Sequence, residues 1–320
     1  MTLAAGASGA AEPLAPLVLE RTIALPDVVG RIDHLSIDLT RKRLFVAELG
    51  NGSVDVIDLE TGKAVDRIDG LSEPQGIAYL PASDAIAVAS GGDGTVRMFR
   101  AGDFSPMGQA LLGGDADNVR LDRHTGHVVV GYGSGALAII DPVRAIQLAE
   151  IKLAVHPESF QLDPRTRRIF VNLPDAQQVG VVDLESGRQT DAWSVPGLAA
   201  NFPLAIDNSG ALLATVFRSP ARLVLLDTKS GAVVANLVSC SDADDVFFDA
   251  KRERIYISCG AGAVDVFQSD GAGTHRVARV STPPGGRTAL FVPELDRLFV
   301  AVRARLGRSD ASILVFRPTP

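Results

Sequence analysis

The chain has 320 residues, of which 46% are hydrophobic and only 5% aromatic, so its core must consist mainly of Val, Ile, Leu and Ala. Its net charge of −7 argues against nucleic acid as a partner, because a nucleic-acid-binding face needs clustered positive charge. No uninterrupted apolar run reaches the roughly 18 residues of a membrane-spanning helix, and we therefore expect no insertion into a membrane.

The first residues of the chain indicate export. Residues 1–16 are rich in Ala and Gly, and Ala10-Ala11-Glu12-Pro13 resembles the sequence that follows a signal cleavage site. This pattern predicts a periplasmic or otherwise exported protein from which the signal has been removed. A disordered cytoplasmic tail is the alternative. We expect residues 1–16 to be a disordered tail and residues 17–320 to form one domain.

A repeat of about forty residues dominates the rest of the chain. The segment Arg43–Gly62 recurs in part at Arg168–Gly187 and again at Ala221–Gly231. An aspartate marks the end of the corresponding strand in these copies and in one further repeat: Asp58, Asp141, Asp183 and Asp227. The last three lie 42 and 44 residues apart, which is the length of one four-stranded propeller blade.

Each repeat divides into short β-branched runs separated by turn residues. In the first repeat we predict strands at His34–Asp38, Leu44–Glu48, Val54–Asp58 and Ala64–Ile68. The first strand of every repeat is found by its similar ending: Leu35–Asp38, Ile77–Leu80, Val119–Asp122, Phe160–Asp163, Leu204–Asp207, Val246–Asp249 and Leu290–Pro293. No segment shows sustained helical periodicity. The sequence therefore predicts an all-β, seven-bladed β-propeller of four-stranded antiparallel blades.

The ends of the chain predict how the ring closes. The last repeat contains only three strands and ends at Ser312–Phe316, whereas the chain begins with a spare strand at Leu17–Ala24. A propeller must cover the edge left between its first and last blades. We expect the N-terminal strand to complete the seventh blade.

The repeat resembles a known family at these residues. The pattern Arg-Leu-Phe-Val-Ala followed by Val-Asp-Val-Ile-Asp, at Arg43–Asp58, is similar to that of the YVTN-repeat (surface-layer, lactonase-like) β-propellers, which occur in many exported bacterial proteins. The resemblance extends from about Leu17 to Phe316. It implies the fold but no particular activity, because the repeated residues mark strands and turns.

Polar residues lie where the first strand of each blade begins, at one mouth of the central channel. Eight carboxylates are expected to converge there: Asp33, Glu73, Asp115, Asp117, Glu158, Asp242, Asp244 and Asp245. Like charges crowded in a concavity repel each other unless a cation or ligand compensates them. The alternative for each residue is structural, namely that it caps the start of a strand.

These residues suggest specific roles at the mouth. The ligands for a divalent cation, Ca²⁺ or Mg²⁺ rather than Zn²⁺, would be Asp117, Asn118, Glu158, Asp244 and Asp245. General acid or base residues would be His34, His156 and Glu158. Substrate-binding residues would be Arg31, Glu48, Gln75, Tyr132, Asn201, Arg218, Arg287 and Arg303, some of them in loops after second strands. The alternative for each of these is an ordinary exposed loop residue.

Two further motifs limit the chemistry. Gly91-Gly92-Asp93-Gly94 lacks a following Lys and helix, so we interpret it as a hairpin turn and predict neither a nucleotide nor a flavin cofactor. Cys240 and Cys259 are too few and too far apart for a Cys-x-x-Cys metal cluster. They are either a pair of buried thiols, which we favour, or a disulfide in an oxidising compartment.

Two functions follow from this pattern. One is a metal-assisted hydrolase or lyase acting on a small polar or cyclic ester substrate, similar in arrangement to gluconolactonase-type and streptogramin lyase propellers. Their site motifs do not align with Asp117, Glu158 or Asp245. The other is a non-catalytic exported module, expected to be monomeric, that binds a metabolite, peptide, metal ion or partner protein.

Overall fold

The computed structural model describes residues 15–163, 165–305 and 310–320. In these ranges the strands form seven four-stranded antiparallel sheets, which are the predicted blades. The seven-bladed fold predicted from the repeats is thus confirmed. Of the predicted N-terminal tail, residues 1–14 lie outside the described residues. Pro16 and Ala15 accept hydrogen bonds from the backbone N–H and hydroxyl of Thr319.

The strands follow chain order within each blade, from the channel outward. Blade 1 comprises β2 (Leu35–Asp38), β3 (Arg43–Glu48), β4 (Ser53–Asp58) and β5 (Lys63–Ile68). Blade 2 comprises β6 (Pro74–Leu80), β7 (Ala85–Ser90), β8 (Thr95–Arg100) and β9 (Pro106–Leu111). Blade 3 comprises β10 (Ala116–Leu121), β11 (Val128–Tyr132), β12 (Ala136–Asp141) and β13 (Ile146–Lys152).

Blade 4 comprises β14 (Phe160–Asp163), β15 (Arg168–Leu173), β16 (Gln178–Asp183) and β17 (Arg188–Ser194), with a short 3-10 helix at Pro174–Ala176. Blade 5 comprises β18 (Ala199–Ile206), β19 (Leu212–Ser219), β20 (Ala221–Asp227) and β21 (Val233–Val238). Blade 6 comprises β22 (Ala243–Asp249), β23 (Arg254–Cys259), β24 (Ala263–Asp270) and β25 (Gly273–Ser281).

Blade 7 is assembled from both ends of the chain. It comprises β26 (Thr288–Val292), β27 (Arg297–Val302), β28 (Ala311–Pro318) and, as its outermost strand, β1 (Leu17–Leu25). β1 pairs antiparallel with β28, for example Ile23 with Ile313, and is interrupted by one register shift. The predicted closure by the N-terminal strand is confirmed.

The core lies between the blades. Seven clusters of buried side chains each join two neighbouring blades, including the cluster shared by blade 7 and blade 1. Most of the packed residues are Val, Ile, Leu and Ala, as the composition predicts. Gly52 and Gly62 have φ of 69° and 66°, the left-handed conformation that the tight turns flanking β4 require.

Four inner strands begin earlier than predicted, because they extend into the mouth segments through bulges. A non-glycine residue with positive φ lies at the start of each: Glu73 (52°), Asp115 (34°), Ala200 (60°) and Asp242 (59°). Each is followed by a register shift against the second strand of its blade. A bulge turns the following side chains out of the regular alternation, and here it precedes the polar residues at the channel mouth.

Candidate functional site at the channel mouth

Equivalent positions of the inner strands bring carboxylates from four blades together. We define the mouth cluster as Asp33, His34, Asp117, Asn118, Arg120, Glu158, Asp244 and Asp245, contributed by blades 1, 3, 4 and 6. Their convergence is visible in their electrostatics, since the charge of Asp33 raises the pKa of Asp117, Glu158 and Asp245 alike. Five of the eight carboxylates predicted at the mouth thus lie in one cluster, whereas Glu73 and Asp115 are exposed and Asp242 pairs with Arg218 and Arg287 at the rim.

Asp117 has a carboxyl whose pKa is strongly raised. Burial raises the pKa of its carboxyl to about 7, opposed by the nearby imidazole of His34 and reinforced by Asp33 and Glu158. Only 8% of the residue is exposed. A carboxyl of this kind changes its charge near neutral pH, as a proton-exchanging group in an active site must.

Glu158 and Asp245 are perturbed for the same physical reason. Burial raises the pKa of Glu158, with His156 opposing and Asp244 adding to the shift. Burial also raises the pKa of Asp245 well above its ordinary value, followed by repulsion from Asp244. The backbone N–H of Ala289 donates a hydrogen bond of 2.7 Å to Asp245 and partly stabilises its charge.

Arg120 is a member of the cluster that the sequence analysis missed. Burial lowers the pKa of its guanidinium, whereas Asp245 and Asp117 raise it. The side chain donates to the Val119 carbonyl at 2.9 Å and lies 5.8 Å from the centre of the Phe160 ring. The signal that could have revealed Arg120 is that it is the only basic residue within the seven inner strands that the structure describes.

The two predicted histidines have different surroundings. His34 Nε2 lies 3.8 Å from Asp33 Oδ1 and 3.7 Å from Asp117 Oδ1, so the imidazole lies between two carboxylates without a hydrogen bond to either atom. His156 Nδ1 lies 2.6 Å from the Gly133 carbonyl and 3.7 Å from Asp115 Oδ2. His34 thus belongs to the cluster, and His156 lies beside it at the rim.

Three predicted arginines compensate part of the negative charge. Arg31 contacts Asp33 at 2.7 Å, and Arg287 Nε lies 3.2 Å from Asp244 Oδ2. Arg218 also pairs with Asp244 and packs its guanidinium 3.7 Å from the centre of the Phe202 ring. Asp244 is therefore neutralised from two sides, and Asp117 has no arginine within 4 Å among the described residues.

Three buried oxygen atoms of the cluster lack a hydrogen-bond partner among the described residues. They are Asp33 Oδ2, which lies beside Arg31, and Asp117 Oδ1 and Asn118 Oδ1, on consecutive residues of β10. Buried polar atoms are nearly always paired, and each unpaired acceptor costs free energy. The arrangement is suited to accept hydrogen bonds from a donor outside the protein.

Three predicted site residues lie elsewhere. Glu48 is fully buried inside blade 1, where burial raises the pKa of its carboxyl to about 8 and the Ser53 hydroxyl donates to it at 2.6 Å. Tyr132 directs its hydroxyl outward to Glu150 on β13. Asn201 is fully buried and donates to Asn172 Oδ1 and to the Gln178 carbonyl, both at 2.8 Å. Their positions near the ends of inner or second strands were predicted, but their side chains point into blades.

The remaining predicted residues lie at the rim. Gln75 donates to Asp115 Oδ1 at 3.3 Å, and Arg303 lines a small cavity beside Arg31 and Arg287. A larger cavity of about 540 Å³ lies between blades 7 and 1, near the turns that follow β2 and β4. Its Lys42 and Arg297 are already paired with Glu60 and Glu20, and it is remote from the mouth.

The described residues do not form a ready metal site. No three of their His, Cys, Asp and Glu side chains are arranged to hold a metal ion. In the predicted ligand set, Asp244 is engaged by arginines and Asp245 by a backbone N–H. The divalent cation at the mouth stays a prediction.

Cys240 and Cys259 form a disulfide, with their Cα atoms 6.0 Å apart. Of the two alternatives left open by the sequence, the favoured pair of free thiols is wrong. Both residues are fully or almost fully buried between blades 5 and 6. Among the described residues, no helix has the length and apolar character needed to cross a membrane.

Comparisons with known proteins support the fold. No protein-family model matches the chain, and no curated protein matches its sequence. A solved structure of Kuenenia stuttgartiensis hydrazine synthase is similar, with a TM-score of 0.79 and 16% identity over 92% of this chain and 98% of that chain. A chain in a crystal structure of the mitotic checkpoint complex has a TM-score of 0.81 and 15% identity, covering 100% of this chain and 98% of that one. At these identities the likeness shows the fold alone, that of the seven-bladed β-propellers.

Proposed function

We propose that the channel mouth binds a small polar molecule, which donates hydrogen bonds or presents positive charge to the mouth cluster. The observation that carries this proposal is the state of Asp117. Its carboxyl is buried, lies close to the carboxylates of Asp33 and Glu158, and has an unpaired oxygen. A donor group from a ligand would pair both Asp117 Oδ1 and Asn118 Oδ1, and a positive charge would relieve the repulsion.

The proposal includes the family and the compartment. The strand and turn pattern at Arg43–Asp58 favours a YVTN-repeat propeller. The Cys240–Cys259 disulfide favours an exported protein, because disulfides persist in oxidising compartments and are rare in the cytosol.

Proton transfer is a second candidate activity, favoured by the pairing of His34 with Asp117. Their Nε2 and Oδ1 atoms are 3.7 Å apart, and Asp117 titrates near pH 7. In a hydrolase or lyase acting on a polar or cyclic ester, His34 would accept a proton from the attacking water or the substrate. Protonated Asp117 or Glu158 would then donate one to the leaving oxygen.

A thermal-shift titration tests the binding proposal. Purified protein is heated with a panel of small amines, neutral polyols, Ca²⁺ and Mg²⁺, because a molecule that binds only the folded state raises the melting temperature. We expect amines to raise it in proportion to the logarithm of their concentration. In the Asp117→Asn variant this rise should fall by more than half.

Asp163→Asn is the matched control. Asp163 ends the inner strand of blade 4 at the opposite end of the channel and accepts hydrogen bonds from Arg165 and Thr166. This variant should lose stability but keep the amine response. A wild-type protein whose melting temperature is unchanged by the whole panel would contradict the proposal. If metal ions raise the melting temperature and amines do not, the mouth binds the predicted divalent cation and not an amine.

A further inference from the structure

A small cavity lined mainly by positively charged side chains adjoins the negatively charged mouth cluster. This rim pocket, about 100 Å³ in volume, is lined by Arg31, Ile32, Asp242, Gly260, Gly285, Arg287, Ala301 and Arg303. Three guanidinium groups therefore face one carboxylate. The pocket lies between blades 6, 7 and 1, on the same end of the channel as Asp117.

The arginines of the rim pocket differ in how far they are already paired. Arg31 contacts Asp33, and Arg287 Nη1 lies 3.2 Å from Asp242 Oδ1. Arg303 forms no ion pair within 4 Å with any described residue, and its side chain is exposed. The pocket thus retains donor capacity for an anion, most of it on Arg303.

Two glycines leave the room that the pocket needs. A Cβ at Gly285, where φ is 93°, would lie 2.9 Å from Arg303 Nε. A Cβ at Gly260 would lie 1.9 Å from Asp242 Oδ2. Larger residues at either position would displace the charged groups that line the pocket.

The rim pocket and the mouth cluster are connected through a short series of contacts. Arg31 contacts Asp33, and His34 lies within 4 Å of both Asp33 and Asp117. On the other side, Arg287 contacts Asp242 in the pocket and Asp244 in the cluster. Two residues, Asp33 and His34, therefore link Arg31 of the pocket to Asp117 of the cluster, and Arg287 belongs to the surroundings of both.

We infer that the ligand of the mouth is zwitterionic, with an ammonium group at Asp117 and a carboxylate or phosphate group at Arg303 and Arg287. This inference rests on the proposed function and narrows its ligand to amino-carboxylates or amino-phosphates. Guanidinium groups pair with such anions through two parallel hydrogen bonds. A cavity of 100 Å³ accommodates that single anionic group and leaves the rest of the ligand in the mouth.

Isothermal titration calorimetry with matched probes tests the inference. The probes are ω-amino acids from glycine to 6-aminohexanoate, the corresponding monoamines and monocarboxylates, and 3-aminopropylphosphonate. We expect at least one amino acid to bind ten times more tightly than the amine of the same length. Arg303→Gln should abolish that advantage and leave the affinity for the amine unchanged. Arg188→Gln, the same change at an exposed position of β17, should have no effect.

The outcomes separate the inference from the proposed function. If amines bind as tightly as amino acids and Arg303→Gln changes neither affinity, the zwitterion inference is overturned and the binding proposal stands. If neither amines nor amino acids bind, both are overturned. If the phosphonate binds more tightly than any carboxylate and depends on Arg303, the inference holds with phosphate as the anion.

Discussion

Arg120 lies among buried carboxylates with the charges of Asp117 and Asp245 close enough to affect its own pKa. A buried guanidinium is unfavourable by itself, because its desolvation is not recovered without opposite charge nearby. In this position it reduces the repulsion within the cluster. Arg120 therefore stabilises the mouth in the absence of a ligand.

Replacement of Arg120 tests this role. Arg120→Gln leaves buried carboxylates without their internal counter-charge, and we expect a loss of about 3 kcal/mol in the free energy of unfolding at pH 8. Adding Asp245→Asn should restore at least half of that loss. Urea denaturation of the two single variants and the double variant measures the coupling. Strictly additive effects would contradict an electrostatic interaction between Arg120 and Asp245.

The sequence predicted the mouth cluster better than it predicted the role of the residues that end second strands. Asp117, Glu158 and Asp244 occupy equivalent positions before the inner strands, and the repeat places equivalent positions around one axis. Glu48 and Tyr132 end second strands, where the side chain points to one side or the other according to its position in the pleat. The repeat alignment located these residues but not the direction of their side chains.

At the level of elements, the closing strand β1 was predictable because a count of strands shows one missing from blade 7. The bulges at the start of four inner strands were not, since they depend on positive φ at Glu73, Asp115, Ala200 and Asp242. Non-glycine residues seldom adopt this conformation, and the sequence carries no strong signal for it. The disulfide likewise depends on blade geometry, which brings residues 19 positions apart within reach.

Removal of β1 should disrupt the ring. Deleting residues 1–25 leaves β28 with an unpaired edge and exposes the apolar residues that Ile23 and Leu25 cover. We expect thermal unfolding to lose most of its cooperativity, measured by circular dichroism and calorimetry. A synthetic peptide of residues 15–25 should restore it. A truncated protein that melts like the full chain would show that closure by β1 contributes little.

The disulfide gives a second test at the scale of elements. Titration of thiols in denaturant without reductant should find none free. Reduction should lower the free energy of unfolding by about 3 kcal/mol, because it releases a loop of roughly 20 residues in the unfolded chain. The reduced protein and the Cys240→Ala/Cys259→Ala variant should be similarly destabilised. Two titratable thiols in the untreated protein would exclude the bridge.

For the whole molecule, ion pairs across blade boundaries predict sensitivity to acid. Hydrogen bonds from Arg41 in blade 1 lower the pKa of Asp84 in blade 2, and Arg252 in blade 6 does the same for Asp296 in blade 7. A carboxyl with a lowered pKa stabilises the fold above its unfolded pKa of about 4 and loses that effect as the pH falls. The melting temperature should drop below pH 4. Asp296→Asn should reduce this drop. If the melting temperature of that variant fell with acid as it does in the wild-type protein, the stabilising role of the Arg252–Asp296 pair would be contradicted.

The mouth cluster predicts that near neutral pH stability changes with pH in the opposite direction. Asp117, Glu158 and Asp245 have raised pKa values in the folded protein. Between pH 4 and about 7 the unfolded chain has released the proton of Asp117 while the folded protein retains it, and the raised pKa values of Glu158 and Asp245 act in the same direction. Stability must therefore fall as the pH rises through this window and stay lower above it. The Arg41–Asp84 and Arg252–Asp296 pairs lose their stabilising effect in acid, and the mouth cluster lowers stability toward neutral pH. Together they predict that the free energy of unfolding is highest near pH 4 to 5.

The pH dependence of unfolding in the Asp117→Asn/Asp245→Asn double variant tests most directly whether the mouth holds carboxylates that need a ligand. The free energy of unfolding is measured by urea denaturation from pH 4.5 to pH 8 in this variant and in the wild-type protein. We predict that the wild-type protein loses stability across that range, whereas the variant profile is much flatter, because two of the three carboxyls with raised pKa values are gone. Parallel profiles, with the variant less stable at every pH, would show that the two carboxylates are satisfied by the fold itself and would contradict a ligand site at the mouth.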